Sequence, residues 1–301
     1  SMPLPLRTRL SSLRVLTQWC CVQKKADLVP PVLKLLWILL GTGEVHRDQH
    51  IPLGVRSRLR LFAAQCVLKL ATCDAYASLI LPRMGRLSYA LQDECFQVRM
   101  HLLHDLLLYL MRDELPTEFH AAIFLVAFDP EDEPRVQVAS YTRRLQVLPP
   151  IVRHERLERI IVRFLHLLAH HPDLNAESPQ TLCSFARYLE FYLACVACET
   201  NIGVLARFSA CVRTYIDLSL SEPSVENSRP LYAMAELAQF LIQRLADNNG
   251  WTIYPVDEEA PCPKDILRST GTITRSVLDG EVWELLQQQP RRHRDKKTKV
   301  A

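Results

Sequence analysis

The stretch "VRSRLRLFAAQCVLKLATCDAY", residues 55–76, carries its leucines and alanines at spacings of three and four. That is the period of one face of an α-helix rather than of a strand. Its first turns hold Arg56, Arg58 and Arg60, where the positive end of the helix dipole disfavours cations. Either solvent hides that cost, or the guanidiniums face carboxylates on a partner or on a neighbouring part of the chain. Arg56 and Arg60 lie one turn apart on one face, and Arg58 points away from it toward an adjacent element.

The same period recurs throughout the chain. Apolar spacing predicts helices near 7–22, 28–40, 55–71, 75–91, 94–112, 117–128, 132–147, 153–170, 179–198, 201–220 and 229–247, with no strand before residue 250. Pro30-Pro31, Pro116, Pro130, Pro149-Pro150, Pro179 and Pro230 fall at first turns or links, where a missing N–H does little harm. Asp74, Asp93 and Ser178 are suited to cap helix starts.

Composition agrees with an all-α chain. Hydrophobic residues make up 49% of the 301 and glycine only 8 of them, while the net charge of +3 is too mild to announce nucleic acid. No apolar run reaches the ~18 residues of a membrane span, and no secretory signal opens the chain. The ten cysteines sit mostly in apolar helical runs, as small hydrophobes do, which points to a reducing compartment. Ser1-Met2 reads as the remnant of a cleaved tag, so the chain is expected to be a fragment of a longer protein.

Helical hairpins at a fixed period mean a solenoid. Asp93 leads Val98-Arg99, Asp129-Pro130 leads Val136-Gln137, and Val55-Arg56 opens a similar helix upstream. These sites lie about 40 residues apart, the range of HEAT and armadillo repeats. In such an array a loop aspartate caps the second helix and an arginine bridges to the adjacent repeat's loop. The expected fold is therefore an all-α solenoid of HEAT-like helical hairpins over residues 3–250. An irregular connector with a short terminal helix follows over 251–289, with Trp283 and Leu286 packing back, and then a basic disordered tail over 290–301.

Within that architecture, "SRLRLFAAQCVLKLA" (57–71), "LQDECFQVR" (91–99), "LPTEFHAAIFLVAFDPEDEPRVQVASYTRRL" (115–145), "FLHLLAHHPDL" (164–174) and "LYAMAELAQFLI" (231–242) resemble the precocious-dissociation-of-sisters (Pds) family of cohesin-associated HEAT proteins. The resemblance runs over residues 28–255 and fits the C-terminal portion of such a protein. It implies a non-enzymatic regulator in the nucleus, on chromatin. The partners it implies are cohesin's kleisin subunit and, through the longer protein, a Wapl-type releasing factor and other cohesin regulators.

The chemistry-bearing residues give no rival. Cys195 and Cys198 form a CxxC without a second ligand pair, so a shared apolar helix face is the better reading than zinc. His166 and His170 are one turn apart without the glutamate of an HExxH motif, and packing or C-capping accounts for them; His101 and His104 read the same way. The "GTG" at 41–43 lacks the lysine and strand of a phosphate loop. The expectation is no catalysis, no metal and no cofactor.

Basic residues are the remaining functional signal. Seven arginines lie between Arg135 and Arg163 against Glu155 and Glu158. On a helix over 153–170, Leu157, Ile160, Phe164 and Leu168 form the apolar face and Arg156, Arg159 and Arg163 an adjacent side. Together with Arg56 and Arg60 these are the candidate partner-binding residues, since arginine forks match carboxylates and phosphates. The alternative reading is a helical-repeat protein that binds nucleic acid through this ridge and the basic tail, weakly and in a salt-dependent way.

Overall fold

The computed structural model describes residues 4–44 and 51–288. At the start α1 (Leu4–Gln23), α2 (Val29–Thr42) and α3 (Leu53–Ala71) pack together. Pro30 and Pro31 occupy the first turn of α2, and Gly43 ends it in the left-handed region at φ 64°, its N–H returned to the Leu39 carbonyl. A side chain at Gly43 would meet Cβ of Arg56 at 2.9 Å, so the α2–α3 corner needs glycine. The quoted stretch is α3 itself. It buries Val55, Leu59, Phe62, Cys66 and Leu70, and turns its three arginines outward or to its flanks.

The helix expected over 75–91 is broken into α4 (Asp74–Ile80), a 3-10 turn at Leu81–Arg83, α5 (Met84–Ser88) and a second 3-10 turn at Tyr89–Gln92. Pro82 explains the first break, because it cannot supply the N–H that a continuous helix requires. Asp74 is the first residue of α4 rather than its cap, and Asp93 sits two residues ahead of the Cys95 cap of α6 (Phe96–Met111). Ser178 caps its helix as expected, accepting from the Thr181 N–H.

Residues Thr117–Phe128 form the hub. They wind as a 3-10 helix, not an α-helix, and Phe119 to Ala127 are all buried. With ~2.0 Å per residue instead of ~1.5 Å, twelve residues reach ~24 Å rather than ~18 Å. The segment thereby touches α5, α6, α7 (Asp132–Gln146), α9 (Ile161–Ala169) and α10 (Pro179–Val196). Phe124 stands at its centre, with ring centroids 5.7 Å from Phe164 and 4.9 Å from Tyr192. His120 is buried in the same segment, its Nδ1 2.8 Å from the Thr117 carbonyl and its Nε2 2.9 Å from the Tyr141 hydroxyl.

The expected 153–170 helix also changes register. A short helix, α8 (Pro150–Arg153), passes into a π-turn at His154–Glu158 before α9 begins. The extra residue in that turn rotates everything after it relative to a regular helix. Arg163 therefore falls into the interior at 3% exposure, and does not share a face with Arg156 and Arg159.

Beyond α10, α11 (Ile202–Cys211) ends earlier than expected. Residues Tyr215–Asp217 leave the helix as strand β1, pairing antiparallel with β2 (Leu267–Ser269) in the register Tyr215↔Ser269, Ile216↔Arg268, Asp217↔Leu267. The helical reading of 201–220 fails because a distant segment supplies this strand's hydrogen-bond partner, which local periodicity does not report. Between the strands α12 (Arg229–Asn249) packs on α9, α10 and α11, and α13 (Gly280–Gln288) packs on α10. Residues 251–279 are largely irregular yet return to the core, where Ala260, Ile266, Leu267 and Leu278 are buried with Val282 and Leu286 of α13. Trp283 lies against Phe240. The basic tail expected at 290–301 lies outside the described residues. The fold is an all-α helical-repeat solenoid with one small strand pair, and none of its described helices is long and apolar enough to cross a membrane.

Two measurements probe this core. Leu68 is 1% exposed, and Leu68→Asp, which buries an unpaired carboxylate at a cost of roughly several kcal/mol, should abolish the cooperative thermal transition. Burial pushes the His120 imidazole down to about 4 from an ordinary value of 6.5. Between those values the unfolded chain binds a proton that the folded chain refuses, so stability falls as pH drops through that window. Replacing His120 with Gln should flatten the melting temperature's slope on pH over that interval.

Candidate functional site

Two successive repeat joints are each closed by an arginine and an aspartate from neighbouring repeats. Arg60 on α3 grips Asp93 with Nε at 2.5 Å and Nη2 at 2.9 Å. Arg99 on α6 grips Asp129 at 2.8 and 3.3 Å. Both aspartates also accept from the amide two residues on, Cys95 at 2.9 Å and Glu131 at 3.1 Å, which fixes the loop that presents them. Arg99 further donates to the Asp93 carbonyl at 2.8 Å and contacts Glu131, and Arg135 repeats the first of these contacts on the Asp129 carbonyl. Burial alone would raise the Asp129 carboxyl, but the hydrogen bonds and charge of Arg99 hold it below its ordinary value. The arginine-to-loop bridges expected from the Val-Arg repeats are present at Arg60 and Arg99; Arg56 does not make one, and Arg135 stays at the loop preceding its own helix.

The other candidate arginines are drawn to carboxylates of their own chain. Arg56 reaches Glu44 at 2.6 Å and keeps 30% of its side chain exposed, while Arg58, expected to touch an adjacent element, is exposed to solvent. Arg156 meets Asp113 at 2.8 Å. Arg159 lies 3.3 Å from Glu155 and 3.4 Å from Glu258. Arg163 forms a two-pronged pair with Asp265 at 2.8 and 2.7 Å. The five residues do not form one cationic ridge. All five instead pair with carboxylates of other segments, and the returning stretch 251–279 is held by Arg159 and Arg163 at Glu258 and Asp265. Glu236 secures its far end by accepting from the Ser276 hydroxyl and from the Val277 and Leu278 amides at 2.8 to 3.1 Å.

His170 is the C-cap residue of α9, as C-capping would have it, but the two imidazoles do more than cap or pack. Their rings lie 4.4 Å apart, and both Nε2 atoms turn to Asp217 of β1, at 3.3 Å to Oδ1 and 2.6 Å to Oδ2. Burial lowers the His166 imidazole, with Asp217 acting against it. Burial would also raise Asp217, but the two imidazole hydrogen bonds hold that carboxyl far below its ordinary range. Sequence reading missed this cluster because Asp217 was assigned to a helix. Cys195 is buried near the end of α10, which stops at Val196, so Cys198 stands off the helix with its Sγ 3.2 Å from the Thr200 hydroxyl. The two thiols do not share a helix face.

An open groove lies between α6 and α7. Its volume is about 310 Å³, and it is lined by His104, Leu107, Met111, Gln137, Tyr141 and Arg144. Met111 is 52% exposed at its edge, and beyond α7 Val147 and Ile151 stand out at 85% and 80%. Arg112, Arg143 and Arg144 are exposed around it. Its floor is largely apolar, with Arg144 at its lining.

Consecutive helical hairpins tied by arginine–aspartate pairs make this a helical-repeat protein by class. The particular family follows from comparison: residues 1–268 match the family described as "Sister chromatid cohesion protein PDS5 protein", and the chain belongs to it. It is 27% identical over 245 residues to sister chromatid cohesion protein pds5 of Schizosaccharomyces pombe, covering 81% of this chain and 20% of that protein. It is 24% identical over 280 residues to PDS5 of Saccharomyces cerevisiae, covering 83% and 22%. Against PDS5 homolog A of Danio rerio the identity is 33% over 157 residues, covering 48% and 12%. The chain thus spans about a fifth of the length of the fungal relatives it matches.

The ladder yields a direct prediction. Asp129→Ala strands the 7%-exposed Arg99 without its main carboxylate, and removing one partner of a buried pair costs roughly 3–5 kcal/mol. Denaturant titration should show that loss, and Glu131→Ala, at the exposed end of the network, should cost far less.

Proposed function

We propose that this chain is part of a regulator of sister-chromatid cohesion that works without catalysis, as a scaffold binding cohesin's kleisin subunit and tuning cohesin release. The observation that carries this reading is that the repeat array itself, over residues 1–268, matches the cohesion family. The groove between α6 and α7 is the proposed seat for a kleisin segment, its apolar floor taking side chains and Arg144 a carboxylate. Arg56, Arg156 and Arg159 keep part of their side chains at the surface and are proposed as secondary contacts, while Arg60 and Arg163 are held by Asp93 and Asp265. Contacts with a Wapl-type releasing factor belong to the longer protein, and the site of action is the nucleus, on chromatin.

A nucleic-acid reading is favoured by one feature. The sequence of α1 contains no acidic residue, and Arg7, Arg9 and Arg14 are all exposed on it. Phosphate contacts would make such binding fall steeply with salt.

A pull-down of the chain with kleisin segments, beside duplex DNA at two salt concentrations, separates the readings. Kleisin capture should persist at the higher salt and weaken about tenfold in Met111→Asp and in Arg144→Glu, the loss of ~1.4 kcal/mol expected for an interface anchor. Capture of DNA alone, lost at high salt, sets the scaffold reading aside. Kleisin capture unchanged in both variants moves the contact away from the groove.

A further inference from the structure

His166 lies on α9 and His170, one turn on, is its C-cap residue, and β1 brings Asp217 across to them. One ligand atom from each lies within 4.8 Å of the others. Asp217 is buried at 2% and His166 at 7%, so two of the three donors are enclosed, while the His170 side chain keeps 30% exposure. The carboxylate is oriented from outside the cluster: its Oδ1 accepts the Ser219 amide at 2.8 Å, and the Asp217 amide is itself held by the Ser228 hydroxyl at 3.1 Å. The Ser219 hydroxyl stands 3.1 Å from His166 Nε2, adding a further oxygen at the mouth.

From this geometry we propose that His166, His170 and Asp217 bind one divalent transition-metal ion, zinc by the character of its donors. Two imidazole nitrogens and one carboxylate oxygen are the ligand types of zinc sites with three protein ligands, at bond lengths of ~2.0–2.2 Å. The same set of two histidines and a carboxylate also takes ferrous iron. The present separations of 2.6 and 3.3 Å are those of nitrogens and oxygens sharing protons, which the ion displaces on binding. Hard cations such as magnesium and calcium are disfavoured, because they require oxygen-rich shells. The fourth position opens on the His170 side, toward water. Bound there, the ion joins α9 to the β1–β2 pair and thus to the returning segment that carries β2. The helix spacing alone did not reveal it, since the third ligand comes from a strand about fifty residues away.

The test uses the whole chain, stripped with chelator and titrated calorimetrically with zinc sulfate alone. One ion per chain is expected, together with a rise in melting temperature on zinc addition. Cobalt in place of zinc should give the visible absorption of a four-coordinate nitrogen–oxygen site. His170→Ala, at the most exposed of the three positions, and Asp217→Asn, which preserves shape, should each lower bound zinc at least tenfold and remove the thermal shift. Circular dichroism of both variants establishes that they are folded. Controls altered at His101 and His104 together, or at Cys195 and Cys198 together, should bind zinc as the parent does. Zinc stoichiometry unchanged in folded His170→Ala, or zinc lost in either control instead, overturns the site. Absence of binding by the parent also overturns it and leaves the cluster a proton-shared tether between α9 and β1. None of these readouts depends on kleisin or DNA, so its outcome stands apart from the scaffold reading.

Discussion

Arg99 and Asp129 meet in the interior, where neither charge is tolerable without the other, and the array is organised around that necessity. The Arg99 side chain is 9% exposed and that of Asp129 1%, and desolvating either charge alone costs roughly several kcal/mol. The pair forms only if α6 and the loop before α7 stand in one particular relation. Its fork geometry demands both oxygens in one plane, so it fixes orientation as well as distance. Apolar packing between repeats tolerates sliding; the buried pair does not. Arg60 and Asp93 impose the same condition one repeat earlier, with somewhat more solvent around the arginine.

The remaining arginines follow the same logic with different partners. A π-turn at His154–Glu158 carries Arg163 inward, and the returning segment answers with Asp265. Glu158, buried as the last residue of that turn, accepts from Asn201 at 2.9 Å and lies 2.5 Å from the His154 ring. Cations that look like a binding ridge on a helical wheel thus serve to attach the last third of the chain. At the α6–α7 groove, by contrast, Met111 stays exposed and Arg144 rests near its sulfur at 3.7 Å.

Much of this was legible in the sequence because helices with one buried face announce themselves by period. The helix class, most element positions, the repeat spacing and the arginine-to-loop bridges all follow from side chains that alternate between core and solvent. Three features escaped for identifiable reasons. Thr117–Phe128 is apolar at nearly every position and buried on all sides, so its pattern cannot report whether it winds with 3.0 or 3.6 residues per turn. The π-turn leaves no local mark, yet it displaces every later residue on the wheel. Tyr215–Asp217 becomes a strand only because residues 267–269 lie beside it, and with that strand went the third member of the His166–His170 cluster. Of the candidate site, the identities of the arginines could be read, but not which carboxylates already held them.

The segment from residue 251 onward touches what comes long before it: Glu258 meets His154, Asp265 meets Arg163, and Thr274 meets Arg213. Most helical arrays are built from neighbours and can assemble progressively as a ribosome releases them. Here the first repeats can close early, since Arg60 to Asp93 and Arg99 to Asp129 span 33 and 30 residues, less than one repeat. The later half cannot, because α9 exposes Arg163 and β1 lacks its partner until residues 258–269 emerge. Synthesis of this chain therefore has an early phase of sequential closure and a late, single locking event, and the interval between them is when its half-finished interior is open to chaperones.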